Sequence, residues 1–188
     1  MAVVLSGGVA GHERDQHMDR RHIGTSLYAG SLFAVLGAVA WATGQPFVFP
    51  SLGPSAFILA FERRGERTRA HRVVGSHLVG GVAGFLAHSL LASGISLTPA
   101  AEPLSAAGLA LALSGMVSVV LTTWGMIATG TVHAPACATT LIVSLGLLST
   151  PLQVGIIVSS VVVLVGFHVG VVRVLERVDG ESPSASGG

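Results

Sequence analysis

An all-α fold, a polytopic bundle of transmembrane helices, is expected from three features of the sequence. Apolar residues fill 51% of the 188 positions and only 10% are charged, against about 25% charged in ordinary soluble domains. Mean hydropathy is correspondingly high, +0.74. The apolar residues gather in runs near the roughly 20 that a helix needs to cross the hydrocarbon core of a bilayer. A chain of this kind lacks the surface charge to stay in water, so its solvent is lipid.

The elements follow in order. Residues 1–22 read as a cytoplasmic N-terminal tail, because MAVVLSGGVA is too short for a signal-peptide core with its flanks and its neighbours carry mixed charge. Ile23–Thr43 is the first long span, opened by Arg20, Arg21 and His22. Phe47–Phe61 is shorter and interrupted by Pro50 and Pro54; as one regular helix it would rise only about 22 Å. Val73–Ile95 and Ala106–Ala128 are long spans, Val132–Leu148 is a second short piece broken at Pro135, and Leu152–Val172 is the fourth long span. Residues 23–175 thus form the membrane domain, with halves 23–95 and 106–175, and 176–188 reads as a disordered cytoplasmic tail.

Basic residues set the topology. All ten are arginine: Arg14, Arg20 and Arg21 before the first span, five in ERRGERTRAHR, and Arg173 and Arg177 after the last. The positive-inside rule puts these regions on the cytoplasmic side of a cell membrane. The loop 96–105 has no arginine and lies outside. Six crossings satisfy this pattern, four by long helices and two by the broken segments; a model with four spans and two re-entrant segments needs a shifted first hairpin.

Six crossings divide as three plus three. Thr43-Gly44 and Thr129-Gly130 each close a long span ahead of a proline-broken segment, and Val74-Gly75 precedes His88 by the same thirteen residues that separate Val154-Gly155 from His168. An odd number of crossings per half makes this an inverted repeat, an architecture that places binding sites between broken helices at the midplane.

The breaks are where chemistry is expected. Proline disfavours helix at the residue before it and is tolerated in the first turn. FPSLGPSAFILAF should therefore run extended through Ser51 and Gly53 and become helical near Pro54 and Ser55. TVHAPACATTLIVSL should be irregular through Thr131 and His133 and helical from about Pro135. Irregular backbone at membrane depth is tolerated only where protein walls it or water lines it. Each helix start offers free N–H groups and a positive dipole end, and the hydroxyls of Ser51, Ser55, Thr131, Thr139 and Thr140 add donors. Ser51, Gly53, Ser55, Thr131, His133, Cys137, Thr139 and Thr140 are thus the expected substrate-binding positions for a small inorganic anion.

The stretches SLGPSAFILAF, VVGSHLVGGVAG and HAPACATTLIVSL, in that order and spacing, resemble the HPP family of small integral membrane proteins, over roughly residues 23–175. That family is named for a His-Pro-Pro motif; here it reads His133-Ala134-Pro135, with alanine in place of the first proline. Plastid and cyanobacterial members are linked to nitrite transport, so the resemblance implies a nitrite-like anion permease.

Bland readings stand beside these. His133 either contacts substrate and handles protons or holds the break by bonding a backbone carbonyl. Cys137 reads first as a small packing residue, and Ser51 and Ser55 as helix caps. Gly80 with Gly84, and Gly166 with Gly170, have the spacing of close helix packing within or between chains, and the thin bundle favours a homo-oligomer. His77, His88 and His168 form a candidate polar or proton relay, since histidine is the titratable group in spans that lack Asp and Glu.

The alternative function is a haem- or metal-bearing electron carrier, with His88 and His168 as the ligand pair, although aromatic residues, at 5%, supply few large walls. A non-transporting membrane subunit is a third reading. No Ser/His spacing marks an enzyme, no cofactor is called for, and a net charge of +1 argues against nucleic acid. The single cysteine excludes an intrachain disulfide.

Overall fold

The computed structural model describes residues 7–63, 65–98 and 101–180. Within them lie six α-helices and no strand: α1 Gly7–Thr43, α2 Leu52–Phe61, α3 Ala70–Leu91, α4 Ala106–Thr129, α5 Ala136–Ser144 and α6 Pro151–Gly180. Four are long and apolar enough to cross a membrane, over His22–Thr43, Ala70–Leu91, Ala106–Thr129 and Pro151–Val178. The other two, of 10 and 9 residues, rise about 15 Å each. The chain is therefore an all-helical membrane bundle of four long and two short helices.

Both ends of the helical array run further than expected. α1 starts at Gly7, so the stretch read as a tail is helical up to the first span, while residues 1–6 lie outside the described ones. α6 continues to Gly180, which corrects the disordered tail for 176–180; residues 181–188 lie outside the description. The reason is common to both. No proline or turn signal separates the polar residues from the span, and a helix already nucleated extends at little cost per residue.

Local chemistry fixes the helix ends. Ser105 Oγ accepts from the Gly108 N–H at 3.1 Å and caps α4. Before α6, the Gln153 N–H donates to Thr150 Oγ1 and the Thr150 N–H to Gln153 Oε1, a reciprocal capping box, with Pro151 at the first helical position. α4 ends at Gly130, left-handed at φ 66°. There the Thr131 N–H reaches the Met126 carbonyl and the Gly130 N–H that of Ile127, the paired bonds of a Schellman motif. α2 begins at Leu52, two residues earlier than expected, because Ser51 is already right-handed helical (φ −67°, ψ −20°). Pro54 then falls inside the first turn, where its missing N–H costs nothing.

Neighbour contacts show how the short helices travel. α5 and its lead-in run parallel to α3: Thr131 lies against Gly75, Ala136 against Gly80, Thr140 against Gly84, and the Leu145 carbonyl accepts from the Leu97 N–H at 3.0 Å. Non-helical residues 131–133, the turn at 134–135 and the helix thus run alongside α3 from Gly75 to beyond its C-terminal end, the path expected of a segment that crosses beside it. α3 presents glycine along that line. A Cβ at Gly80 would come within 2.8 Å of the Ala136 carbonyl, and one at Gly84 within 2.7 Å of the Thr140 carbonyl. The second glycine pair, Gly166 and Gly170, meets nothing within 4 Å. The segment before α2 likewise descends beside α1, bringing Gly53 to Phe33, and α2 delivers Arg63 onto the Tyr28 ring at 4.7 Å.

α6 is antiparallel to α3, with Val154 against Gly81 and its far end against the 63–70 loop. Arg63, Arg69 and Arg173 therefore gather at one end around a cavity of about 300 Å³ that also has His168 and Glu176 in its wall. Arg69 and Arg72 both pair with Glu66, at 2.5 and 2.8 Å. A core of Leu32, Leu36, Leu52, Leu59, Val161 and Leu164 joins the broken first half to α6.

Two outcomes are expected. In a Cys137→Ala background, a membrane-impermeant thiol reagent should label Glu66→Cys from one side of the membrane and both Glu102→Cys and Thr150→Cys from the other. Labelling of Thr150→Cys from the Glu66 side would remove the crossing of 131–146. Gly84→Leu should lower thermal stability in detergent by on the order of 1–3 kcal/mol or more through overpacking against α5, whereas Gly170→Leu should leave the monomer's unfolding midpoint nearly unchanged.

Candidate functional site

The two broken segments meet. Ser55 Oγ, on the first turns of α2, lies 3.0 Å from His77 Nε2 and 3.2 Å from His133 Nε2, and 3.4 Å from the Ser51 carbonyl. His77, on α3, places its Nδ1 2.7 Å from Thr139 Oγ1 of α5. The two imidazoles sit with ring centroids 5.8 Å apart. Ser55, His77 and Thr139 have no exposed surface, and His133 is 2% exposed. Ser51 is also fully buried, and its hydroxyl has no hydrogen-bond partner.

The elements explain the convergence. Ser55 needs α2 to start part-way along the bundle, His133 needs the lead-in to α5 to be non-helical, and Thr139 reaches His77 because the glycine face of α3 lets α5 approach. α2 runs from this point toward the arginine end and α5 toward the opposite end, so the positive ends of both helix dipoles face the cluster. The first-turn amides of α5 are not free, contrary to expectation. Those of Ala136, Cys137 and Ala138 donate to the carbonyls of His133, Ala134 and Pro135 at 3.0–3.1 Å. Tight turn bonds consume them, so the donors that α5 leaves to a ligand are side chains.

The remaining predicted positions are spread around this centre. Thr140 Oγ1 is 2.7 Å from Thr122 Oγ1 of α4 and also bonds the Ala136 carbonyl; it ties α5 to α4. Thr131 Oγ1 pairs with Thr129 Oγ1 at 2.7 Å. Cys137 is a half-buried free thiol. Gly53 makes no close approach, its nearest neighbour being Phe33 at 3.9 Å from an added Cβ. Pro54 is exposed and Pro135 buried at the N-cap of α5.

The expected relay of three histidines does not assemble. His88 Nδ1 donates to the Ser144 carbonyl at 3.3 Å, and Ser114 Oγ donates to the same oxygen at 2.8 Å. His88 therefore satisfies the C-terminal end of α5. His168 Nδ1 lies 2.8 Å from the Tyr28 hydroxyl at the arginine end. Counting helical rise from the Val154–Gly81 contact puts His88 and His168 roughly 30 Å apart, which removes them as a ligand pair for one haem or metal. Among the described residues no group of three or more His, Cys, Asp or Glu is placed to hold a metal ion.

Some polar residues escaped the sequence reading. Ser114, Ser118 and Thr122 recur every four residues on α4 and are fully buried, a polar stripe at helical spacing that faces α5. Tyr28 was unremarked for lack of any local signal that it would meet His168. No Asp, Glu, Lys or Arg lies on α2, α4 or α5, on α3 beyond Arg72, or on α6 before Arg173, so the cluster is polar and without fixed charge.

Stability should separate the two serines. Ser55→Ala should cost about 1–3 kcal/mol, since it removes the hydroxyl partner of the buried His77 Nε2, while Ser51→Ala should be neutral or slightly stabilising in unliganded protein. Thermal unfolding in detergent measures both, and equal effects would contradict the hydrogen-bond assignment.

No curated protein and no solved structure matches the chain. A family model does, described as the HPP transmembrane region, and it spans residues 16–182. With most of the chain inside that match, and with the sequence's His133 and Pro135 both found at the junction of the broken segments, the chain belongs to the HPP family of transmembrane proteins.

Proposed function

We propose that the protein is a membrane permease for a small inorganic anion such as nitrite, bound where Ser51, Ser55, His77, His133 and Thr139 converge, rather than an enzyme. The observation that carries this reading is the contact of Ser55, from one broken segment, with His133, from the other. Two crossings are interrupted at the same depth and spend their irregular backbone on one buried polar cluster. A helix break is expensive in lipid and persists where it lines a site. Two converging dipole ends and hydroxyl and imidazole donors favour an anion, and the unpartnered Ser51 hydroxyl leaves a donor for it.

The pairing of helices supports a 3+3 inverted repeat. α3 packs on α4 and α5 of the other half, α6 packs on α1 and α2, each short helix packs on the long helix before it, and α3 and α6 pack on each other. Exchanging the halves maps each of these pairs onto another, and the α3–α6 pair onto itself. Alternating access by rocking one half against the other about the cluster is the motion this architecture provides. The arginine end is taken as the cytoplasmic side of the cell membrane, with both termini there. A homo-oligomer would use the open faces of α1 and α6, where Gly30, Gly37, Gly166 and Gly170 have no neighbour within 4 Å.

Nitrite influx into proteoliposomes tests the reading, at a pH where leak of nitrous acid is small. Influx above that of empty vesicles is expected, lost in Pro135→Leu and in Ser55→Ala at unchanged insertion. Folded, inserted protein with no influx above empty vesicles would overturn nitrite transport and shift the reading to another anion or to a non-transporting subunit.

A further inference from the structure

The buried cluster raises a question of charge. An anion held there has no Lys or Arg on α2, α4 or α5, on α3 beyond Arg72 or on α6 before Arg173, and a lone charge in a dry site is strongly disfavoured. α2 and α4 carry no titratable side chain, α5 carries only Cys137, and the lead-in to α5 carries His133. On α6 the only such groups before Arg173 are in His168, which is bonded to Tyr28. On α3, His71 is exposed at the start of the helix, Arg72 beside it is paired with Glu66, and His88 is bonded to the Ser144 carbonyl. The positive charge available at the site is a proton on the His77 and His133 pair.

His77 is built to take one. Both its ring nitrogens face hydroxyls, Thr139 Oγ1 at 2.7 Å and Ser55 Oγ at 3.0 Å. A hydroxyl can donate or accept. With neutral His77, one ring nitrogen donates and the other accepts from its hydroxyl. With the imidazolium, both nitrogens donate, both hydroxyls accept, and the Ser55 proton turns to His133 Nε2 at 3.2 Å or to the Ser51 carbonyl. The proton is gained without losing a hydrogen bond. His88 differs: its Nδ1 faces a carbonyl, which only accepts, and the nitrogen is held as a donor.

We propose that each anion crosses together with one proton held on the His77–Ser55–His133 chain, so that transport is electroneutral and driven by a proton gradient. This rests on the anion-permease reading and adds the co-substrate. No bond other than N–H forms or breaks. One proton enters from the side of anion entry and one leaves with the anion on the other.

The test is initial nitrite influx into proteoliposomes holding a pH dye, with empty-vesicle rates subtracted and potassium diffusion potentials set with valinomycin. Protein-dependent influx should acidify the lumen by one proton per anion, rise as the outside is made more acidic, and stay the same under potentials of either sign. Influx that follows the potential without acidifying the lumen would overturn the coupling and leave the permease standing; absence of any protein-dependent influx would overturn the permease itself. His77→Gln should lose the dependence on outside pH. If that variant fails to fold, Thr139→Val, which keeps the imidazole but removes one hydroxyl acceptor, should weaken it. Wild-type pH dependence in a folded variant of either kind would sink the role of His77.

Discussion

The close approach of α5 and its lead-in to the glycine face of α3 is the contact on which the rest of the molecule depends. From Thr131 to Gly146 the chain runs alongside α3 with only nine residues in regular helix, and non-helical amides and carbonyls within a membrane bundle need protein partners because lipid offers none. Gly80 and Gly84 let α3 lie directly on this backbone, and Gly75 makes room for the Thr131 side chain. α4 closes the other side through Thr122 to Thr140 and Ser114 to the Ser144 carbonyl. Gly146 completes the exit: at φ 75° it permits the turn after α5, and a side chain there would run into the Ile95 carbonyl. Without those glycines α5 would stand off from α3, and Thr139 would not reach His77.

The same contact sorts the buried histidines into different work. His88, at the far end of α5, meets a carbonyl and finishes a helix terminus. His168 meets the Tyr28 hydroxyl beside the arginines, where α6 leaves the bundle. Only His77 and His133 share a partner, Ser55, and that partner comes from the other broken segment. A single polar centre thus draws on α2, α3, the α5 lead-in and α5, that is, on both halves of the chain. Movement of one half relative to the other has to remake these bonds, which gives the centre leverage over the packing.

Much of this was legible in residues 47–61 and 131–148, because proline states where a helix can begin and apolar length states whether it can span. Pro135 placed the start of α5 closely. Pro54 misled by two residues, since a proline inside the first turn and one just ahead of it leave similar text. The ends of α1 and α6 were missed for the opposite reason: polarity marks where lipid ends, and helix does not have to end there. In the sequence His77 is one of several relay candidates, and its central position depends on which helices touch. The spacing shared by His88 and His168 spoke for a pair, yet antiparallel α3 and α6 carry those residues to opposite ends.

The departure from the family motif can be judged from the same geometry. In His133-Ala134-Pro135, the histidine is buried in the cluster and the proline is buried at the start of α5. Ala134 is exposed, and its visible task is to accept the Cys137 N–H through its backbone carbonyl at 3.0 Å. Any residue supplies a carbonyl, and proline would supply the same one. What a proline at 134 adds is restriction of the residue before it to extended backbone, and here the lead-in through His133 is already walled by α3, with Thr131 packed on Gly75, and tied to Ser55. The substitution therefore falls at the motif position whose side chain the cluster does not use, and whose conformational task is shared with the packing around it.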